Sequence, residues 1–130
     1  MMPQSTALNE CNEKLKDVKN VDLDHSGVFK YILVKLIDKE TKEHKFCVRG
    51  YARCDYHADI YDVFTHHLNQ MKLRSVTHDC VGGGRIKRSD NEIFVYGYSQ
   101  GFGRADHSLS TDILKKEFPG YNITWSNDGY

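Results

Sequence analysis

The stretch Val28-Phe29-Lys30-Tyr31-Ile32-Leu33-Val34-Lys35-Leu36-Ile37 carries β-branched and aromatic residues at both parities of its alternation. A strand apolar on both faces needs both faces covered, so residues 28–37 predict a central strand in a sheet packed on two sides. His25-Ser26-Gly27 and Asp38-Lys39-Glu40 bound it. With 130 residues there is room for one domain and one modest core.

The other elements follow from pattern. Residues 46–53 predict a second strand, a hairpin partner across residues 38–45. Residues 56–73 place Ile60, Phe64, Leu68 and Met71 at helical spacing, with Asp55 as the N-cap and Asp59 and Asp62 in the early turns. Residues 76–81 and 92–99 predict strands joined by a glycine-rich hairpin over 82–91. Residues 110–118 predict a second helix, capped by Ser110 and stopped by Pro119-Gly120. Residues 121–126 give a last strand. The expected fold is α+β: a single domain with a mixed sheet of about five to six strands and two main helices. Residues 1–20 are polar and weakly patterned and predict a mobile leader or a short helix added to the domain, with the domain proper over 21–130.

Lys+Arg and Asp+Glu both number 18, so there is no global field to draw in nucleic acid or an acidic membrane. No apolar run is long enough to span a bilayer, and no secretory pattern is visible. The four cysteines, Cys11, Cys47, Cys54 and Cys80, show no CxxC spacing and suit reduced thiols. The expectation is a cytoplasmic monomer that binds neither nucleic acid nor membrane.

The residues suited to chemistry are few. His57 falls in the first turn of the long helix, where the positive end of the macrodipole disfavours imidazolium. A neutral imidazole there is either a base or nucleophile, or a polar residue that helps to cap the helix. Lys30 stands in an apolar row with Val28, Ile32, Val34 and Leu36. It either snorkels at the edge or reaches into a site. Arg49, between Val48 and Gly50, offers a planar fork to a phosphate or to a structural carboxylate. Gly82-Gly83-Gly84-Arg85 can bring amides and a guanidinium to one point, or can be an ordinary hairpin. Ser99-Gln100-Gly101-Phe102-Gly103 is an anion nest in outline, without the spacing of a Walker loop. His107 is a candidate helper, or a loop residue.

Several alternatives fail on spacing. Cys80 and Arg85 have four residues between them, one short of the C-x5-R loop of cysteine-dependent phosphatases, so Cys80 reads as a core thiol. Asp22-Leu23-Asp24-His25-Ser26 lacks the preceding strand that an aspartate-nucleophile motif needs. His66 and His67 are helix neighbours that point apart, and no H-x3-H pair occurs. Asp59 and Asp62 make a poor cage for Mg²⁺. The expected site uses no metal and no cofactor.

These segments resemble the phosphohistidine phosphatase (janus/ocnus) family from about residue 21 to residue 130. The matching motifs, in order, are Gly27-Val28-Phe29-Lys30-Tyr31, Val48-Arg49-Gly50-Tyr51, Tyr56-His57-Ala58-Asp59-Ile60-Tyr61-Asp62, Gly82-Gly83-Gly84-Arg85-Ile86, Val95-Tyr96-Gly97-Tyr98-Ser99 and Asn127-Asp128-Gly129-Tyr130. The Gln100-Gly101 version of the loop resembles the insect janus proteins; the vertebrate enzymes carry bulkier residues after the serine. The resemblance implies a metal-independent phosphatase acting on histidine-phosphorylated proteins. By position, His57 matches the family's proton acceptor and Lys30 its substrate-contacting lysine. Ser99, Gln100 and Gly101 match the phosphate-binding loop, and Arg49 and Arg85 match arginines near the site. The alternative is a non-catalytic phosphoprotein-binding regulator with a role in sex differentiation, because the janus branch is associated with sex-specific regulation.

Overall fold

The computed structural model describes residues 14–129. Its strands are β1 (Val21–Leu23), β2 (Gly27–Asp38), β3 (His44–Gly50), β4 (Val76–Arg88), β5 (Glu92–Tyr96) and β6 (Asn122–Trp125). The two α-helices among the described residues are α1 (His57–Gln70) and α2 (His107–Glu117). The strands form one mixed sheet in the order β1-β3-β2-β4-β5-β6, antiparallel in its centre, with β1 parallel to β3 and β6 parallel to β5. The α+β reading therefore holds, and β2 is central as its two-sided apolar pattern requires.

Each parity of β2 feeds its own core. Ile32, Val34 and Leu36 pack with Ile60, Phe64 and Leu68 of α1, and Leu15 and Val18 join them from the segment expected as a leader. Phe29, Tyr31 and Leu33 face the other way and pack with Ile86, Val95, Ile123 and Leu114 of α2. Burying each of these large apolar side chains contributes about 1.5–3 kcal/mol. The i, i+4 row Ile60, Phe64, Leu68 makes residues 57–70 a helix and aims its first turn across β4. Among the described residues no helix is long and apolar enough to cross a membrane.

The local expectations need four corrections. First, residues 82–88 are not a hairpin loop. They continue β4, and the turn falls at 89–91. Tertiary crowding explains the glycines. A Cβ on Gly82 would lie 2.6 Å from the Ala105 Cα, one on Gly83 2.7 Å from His57 Cδ2, and one on Gly84 2.4 Å from the Tyr96 carbonyl oxygen. Second, α2 starts at His107. Asp106 is its N-cap and accepts from the Leu109 N–H at 3.2 Å, while Ser110 lies buried inside the helix. Third, Tyr56 holds the N-cap position of α1, where Asp59 reaches back to accept the Tyr56 N–H at 3.0 Å. Fourth, β5 ends at Tyr96, short of Ser99, and β1 is an additional strand at the sheet edge. Cys11 and Tyr130 lie outside the described residues.

Candidate active site

The site forms where the first turn of α1 crosses β4. His57 is the first residue of α1 and is 8% exposed. Its Nε2 lies 2.9 Å from the Gly84 carbonyl oxygen. A carbonyl can only accept, so Nε2 carries the proton and donates it. In a neutral imidazole the lone pair is then on Nδ1, which becomes the basic and nucleophilic atom. Burial holds the His57 pKa below its ordinary 6.5, and the charges of Lys30 and Arg85 push it the same way against the Gly84 bond. Neutrality at pH 7 was expected from the helix field. Desolvation and two neighbouring cations are the stronger reasons.

Those cations are brought together by register. Lys30 and Arg85 are direct cross-strand partners on β2 and β4, and they share the face that carries α1. Like charges placed opposite each other destabilise a sheet, so this pair is not a fold-stabilising choice. Its position beside a neutral histidine has the charge and geometry that an anion site needs. The structure places Lys30 on the face that carries α1, across from Arg85 and close enough for its charge to act on His57.

The third part is the turn 99–103. Ser99 N–H donates to the Gly103 carbonyl at 3.1 Å, and Gly103 N–H donates back to Ser99 at 2.8 Å. Gly83 N–H donates to the Gly103 carbonyl at 2.9 Å, and Ala105 N–H to Gly83 at 3.0 Å, which stitches the turn to β4. Ser99 is 2% exposed, and its Oγ accepts from the Phe102 N–H at 3.0 Å. Its hydroxyl therefore shapes the turn. Gln100 and Gly101 are exposed at the tip, and their N–H groups meet no backbone acceptor among the described residues. A Cβ built on Gly83 would sit 2.7 Å from His57 Cδ2 and 3.1 Å from Ser99 Cβ, so one glycine is the hinge point that lets His57 and the turn converge.

Arg49 sits elsewhere in the same face. It is 5% exposed on β3, opposite Ile32, and donates to the Val48 carbonyl at 3.0 Å and the Lys19 carbonyl at 2.8 Å. Its guanidinium lies 5.1 Å from the Phe64 ring centroid. Both of its terminal nitrogens thus serve backbone carbonyls. Cys80 is a buried thiol whose pKa burial pushes up to about 11, which suits the core role read from spacing. Among the described residues no three His, Cys, Asp or Glu side chains gather as metal ligands would.

Behind β4, on the opposite face, lies a polar network that sequence reasoning did not see. Buried His107 donates from Nε2 to the Gly97 carbonyl at 2.7 Å, and its Nδ1 accepts a hydrogen bond from the Tyr31 hydroxyl at 2.7 Å. The Tyr31 hydroxyl also lies 3.0 Å from Ser110 Oγ. His107 was read as a helper or a loop residue, and the structure makes it the first residue of α2. The signal available in the sequence was Asp106, a better cap than Ser110 because it stands three residues before Leu109.

A mixed sheet, a helix-start histidine, a cross-strand Lys and Arg and an amide-bearing turn together make up this α+β domain and its candidate site. Comparison with known proteins makes this specific. The model of the Janus/Ocnus family matches residues 15–122. The 14 kDa phosphohistidine phosphatase of Sus scrofa is 43% identical over 123 residues, 89% of this chain and 95% of the pig protein. The human 14 kDa phosphohistidine phosphatase is 42% identical over 120 residues, 87% and 94% of the two chains. The sex-regulated protein janus-A of Drosophila pseudoobscura pseudoobscura is 38% identical over 125 residues, 92% and 82%. The chain belongs to the Janus/Ocnus family.

Proposed function

We propose that this protein hydrolyses the P–N bond of phosphohistidine in proteins, without a metal and with His57 as proton acceptor. The observation that carries the reading is the neutral His57 with its Nδ1 lone pair beside the registered Lys30–Arg85 pair. The names of the mammalian relatives support it. Charge balance and unpaired cysteine spacing favour a cytoplasmic monomer that acts on histidine-phosphorylated proteins, with no role for nucleic acid or membrane.

Phosphoryl transfer passes through a loose transition state, so the protein's work is to hold, align and neutralise. Lys30, Arg85 and the N–H groups of Gln100 and Gly101 bind the phosphoryl oxygens, Ser99 holds the turn, and Arg49 adds positive potential from within the core. Each charge-assisted contact contributes about 1.5–3 kcal/mol. His57 Nδ1 takes a proton from water as the water oxygen bonds to phosphorus. The P–N bond breaks and the imidazole leaves, protonated by solvent, with inorganic phosphate as the second product. General-base help of this kind is typically worth about 10²–10⁴-fold.

The test is phosphate release from a phosphohistidine protein in EDTA, comparing wild type with His57→Ala. Multiple turnovers by wild type and near-complete loss in the variant are expected. Tight, phosphate-competed binding of the phosphoprotein with no release by folded wild type would assign the site to a non-catalytic regulator instead. Rapid-quench trapping of a phosphorylated His57 would replace the water attack by direct attack of Nδ1.

A further inference from the structure

The half of the sheet that α1 leaves open lies beside the site. α1 packs on β2 and β3, whereas α2 covers β5 and β6 from the other face. Register places Lys30 opposite Arg85 and Val28 opposite Lys87, then Arg85 opposite Tyr96 and Lys87 opposite Phe94. Directly paired residues share a face, so these six side chains stand on the His57 side. The alternate residues Ile86, Ile93 and Val95 are buried under α2, which fixes the assignment.

This strip is built like a binding surface and contributes little to the core. Val28 is 52% exposed and Lys87 is exposed. Phe94 and Tyr96 are half-buried, with rings stacked 5.1 Å apart at 15°. Three cations stand along this strip, Lys30, Arg85 and Lys87, and a phosphoryl group between Lys30 and Arg85 accounts for two of them. Lys87 follows two residues further along β4, about 7 Å away at the strand rise. The strip is closed at its far end by Glu92, which shares the face with Phe94. That carboxylate repels a long polyanion and leaves room for one isolated negative group.

We propose that this strip docks the polypeptide that carries the phosphorylated residue, and that Lys87 selects a carboxylate side chain two or three residues from it. The peptide's apolar atoms lie over Phe94 and Tyr96. The proposal rests on the phosphatase reading of the site and names the substrate class that site prefers.

Two phosphohistidine peptides of equal length test it, one with Asp two residues after the phosphohistidine and one with Lys there. The readout is the ratio of their kcat/KM values, which cancels any effect on the chemical step. Wild type is expected to favour the acidic peptide about fivefold, the scale of one exposed ion pair. The preference should fall to near unity in Lys87→Gln and shrink in high salt. Phe94→Ala should raise KM for both peptides more than for free phosphohistidine. Equal kcat/KM for the two peptides in wild type, or an unchanged ratio in Lys87→Gln, overturns the proposal. If wild type releases phosphate from neither peptide, the phosphatase reading fails separately. Anisotropy with the same two peptides bearing a triazole phosphonate then decides docking: a wild-type preference lost in Lys87→Gln upholds it, and equal affinities overturn it.

Discussion

His57 and His107 occupy equivalent places and do opposite things. Each is the first residue of its helix, each is buried, and each donates from Nε2 to a glycine carbonyl, Gly84 on β4 for His57 and Gly97 just past β5 for His107. They flank the same dipeptide: a Cβ on Gly83 would strike His57, and one on Gly84 would strike His107. Burial lowers both pKa values. The difference lies in the second ring nitrogen. Nδ1 of His107 is taken by the Tyr31 hydroxyl inside a closed network. Nδ1 of His57 keeps its lone pair next to Lys30 and Arg85. A histidine is poised for chemistry by what its other nitrogen lacks, and burial alone does not distinguish the two.

The sharpest way to break this comparison is to remove each ring. His57→Ala should cut kcat/KM by about 10²–10⁴-fold. His107→Ala should cut it far less per folded molecule. In urea denaturation the order should reverse. His107→Ala strands the Gly97 carbonyl, leaves the Tyr31 hydroxyl with Ser110 as its partner and opens a cavity between them, and should cost about 3 kcal/mol. A His57→Ala variant that unfolds as readily as His107→Ala would show that both rings are structural.

The glycines come next. Gly84→Ala meets the Tyr96 carbonyl at 2.4 Å and His107 Cε1 at 2.7 Å, and Gly83→Ala meets His57 Cδ2 and the Tyr31 carbonyl, both at 2.7 Å. Backbone atoms cannot swing aside, so each should destabilise by about 1–3 kcal/mol. Gly83→Ala should also lose activity beyond its loss of folded protein, because it displaces His57 and the Ser99 turn together. Thermal melts alongside kcat/KM separate the two effects.

The smallest effects are in pH dependence. With folded pKa values below the ordinary 6.5, His57 and His107 are neutral at pH 7. The unfolded chain takes up protons first as pH falls, so their stabilising contribution is full above about pH 6.5 and is lost progressively below it. The acid limb of kcat/KM should likewise lie below pH 6.5. Lys30→Gln removes one of the charges that depress His57 and should move that limb upward, in addition to raising KM. A limb that stays in place in Lys30→Gln would mean that the Lys30 charge does not help to set the His57 pKa.

Much of the architecture was legible in the sequence. The two-sided apolar pattern of residues 28–37 announced β2, and Ile60, Phe64 and Leu68 announced α1 with His57 at its start. Periodicity reports burial, and burial is what those residues supply. The Lys30–Arg85 pair was harder to read, because it depends on the register between two residues more than fifty positions apart in the chain. Ser110 was mistaken for a cap because its own burial, beside Tyr31 and His107, is a tertiary fact.

By itself the sequence determined which segments are strands and helices, and that His57, Lys30 and an amide-rich turn exist as separate pieces. Local propensity and alternation act within a few residues, so they set these features directly. Only the tertiary structure decided that Gly82, Gly83 and Gly84 belong to a strand, that His57 keeps its Nδ1 lone pair while His107 is saturated, and that Arg49 spends its donors on Lys19 and Val48. Those outcomes depend on what approaches each group from distant parts of the chain. Close packing, which leaves no room for a Cβ at Gly82, Gly83 or Gly84, settles them in space.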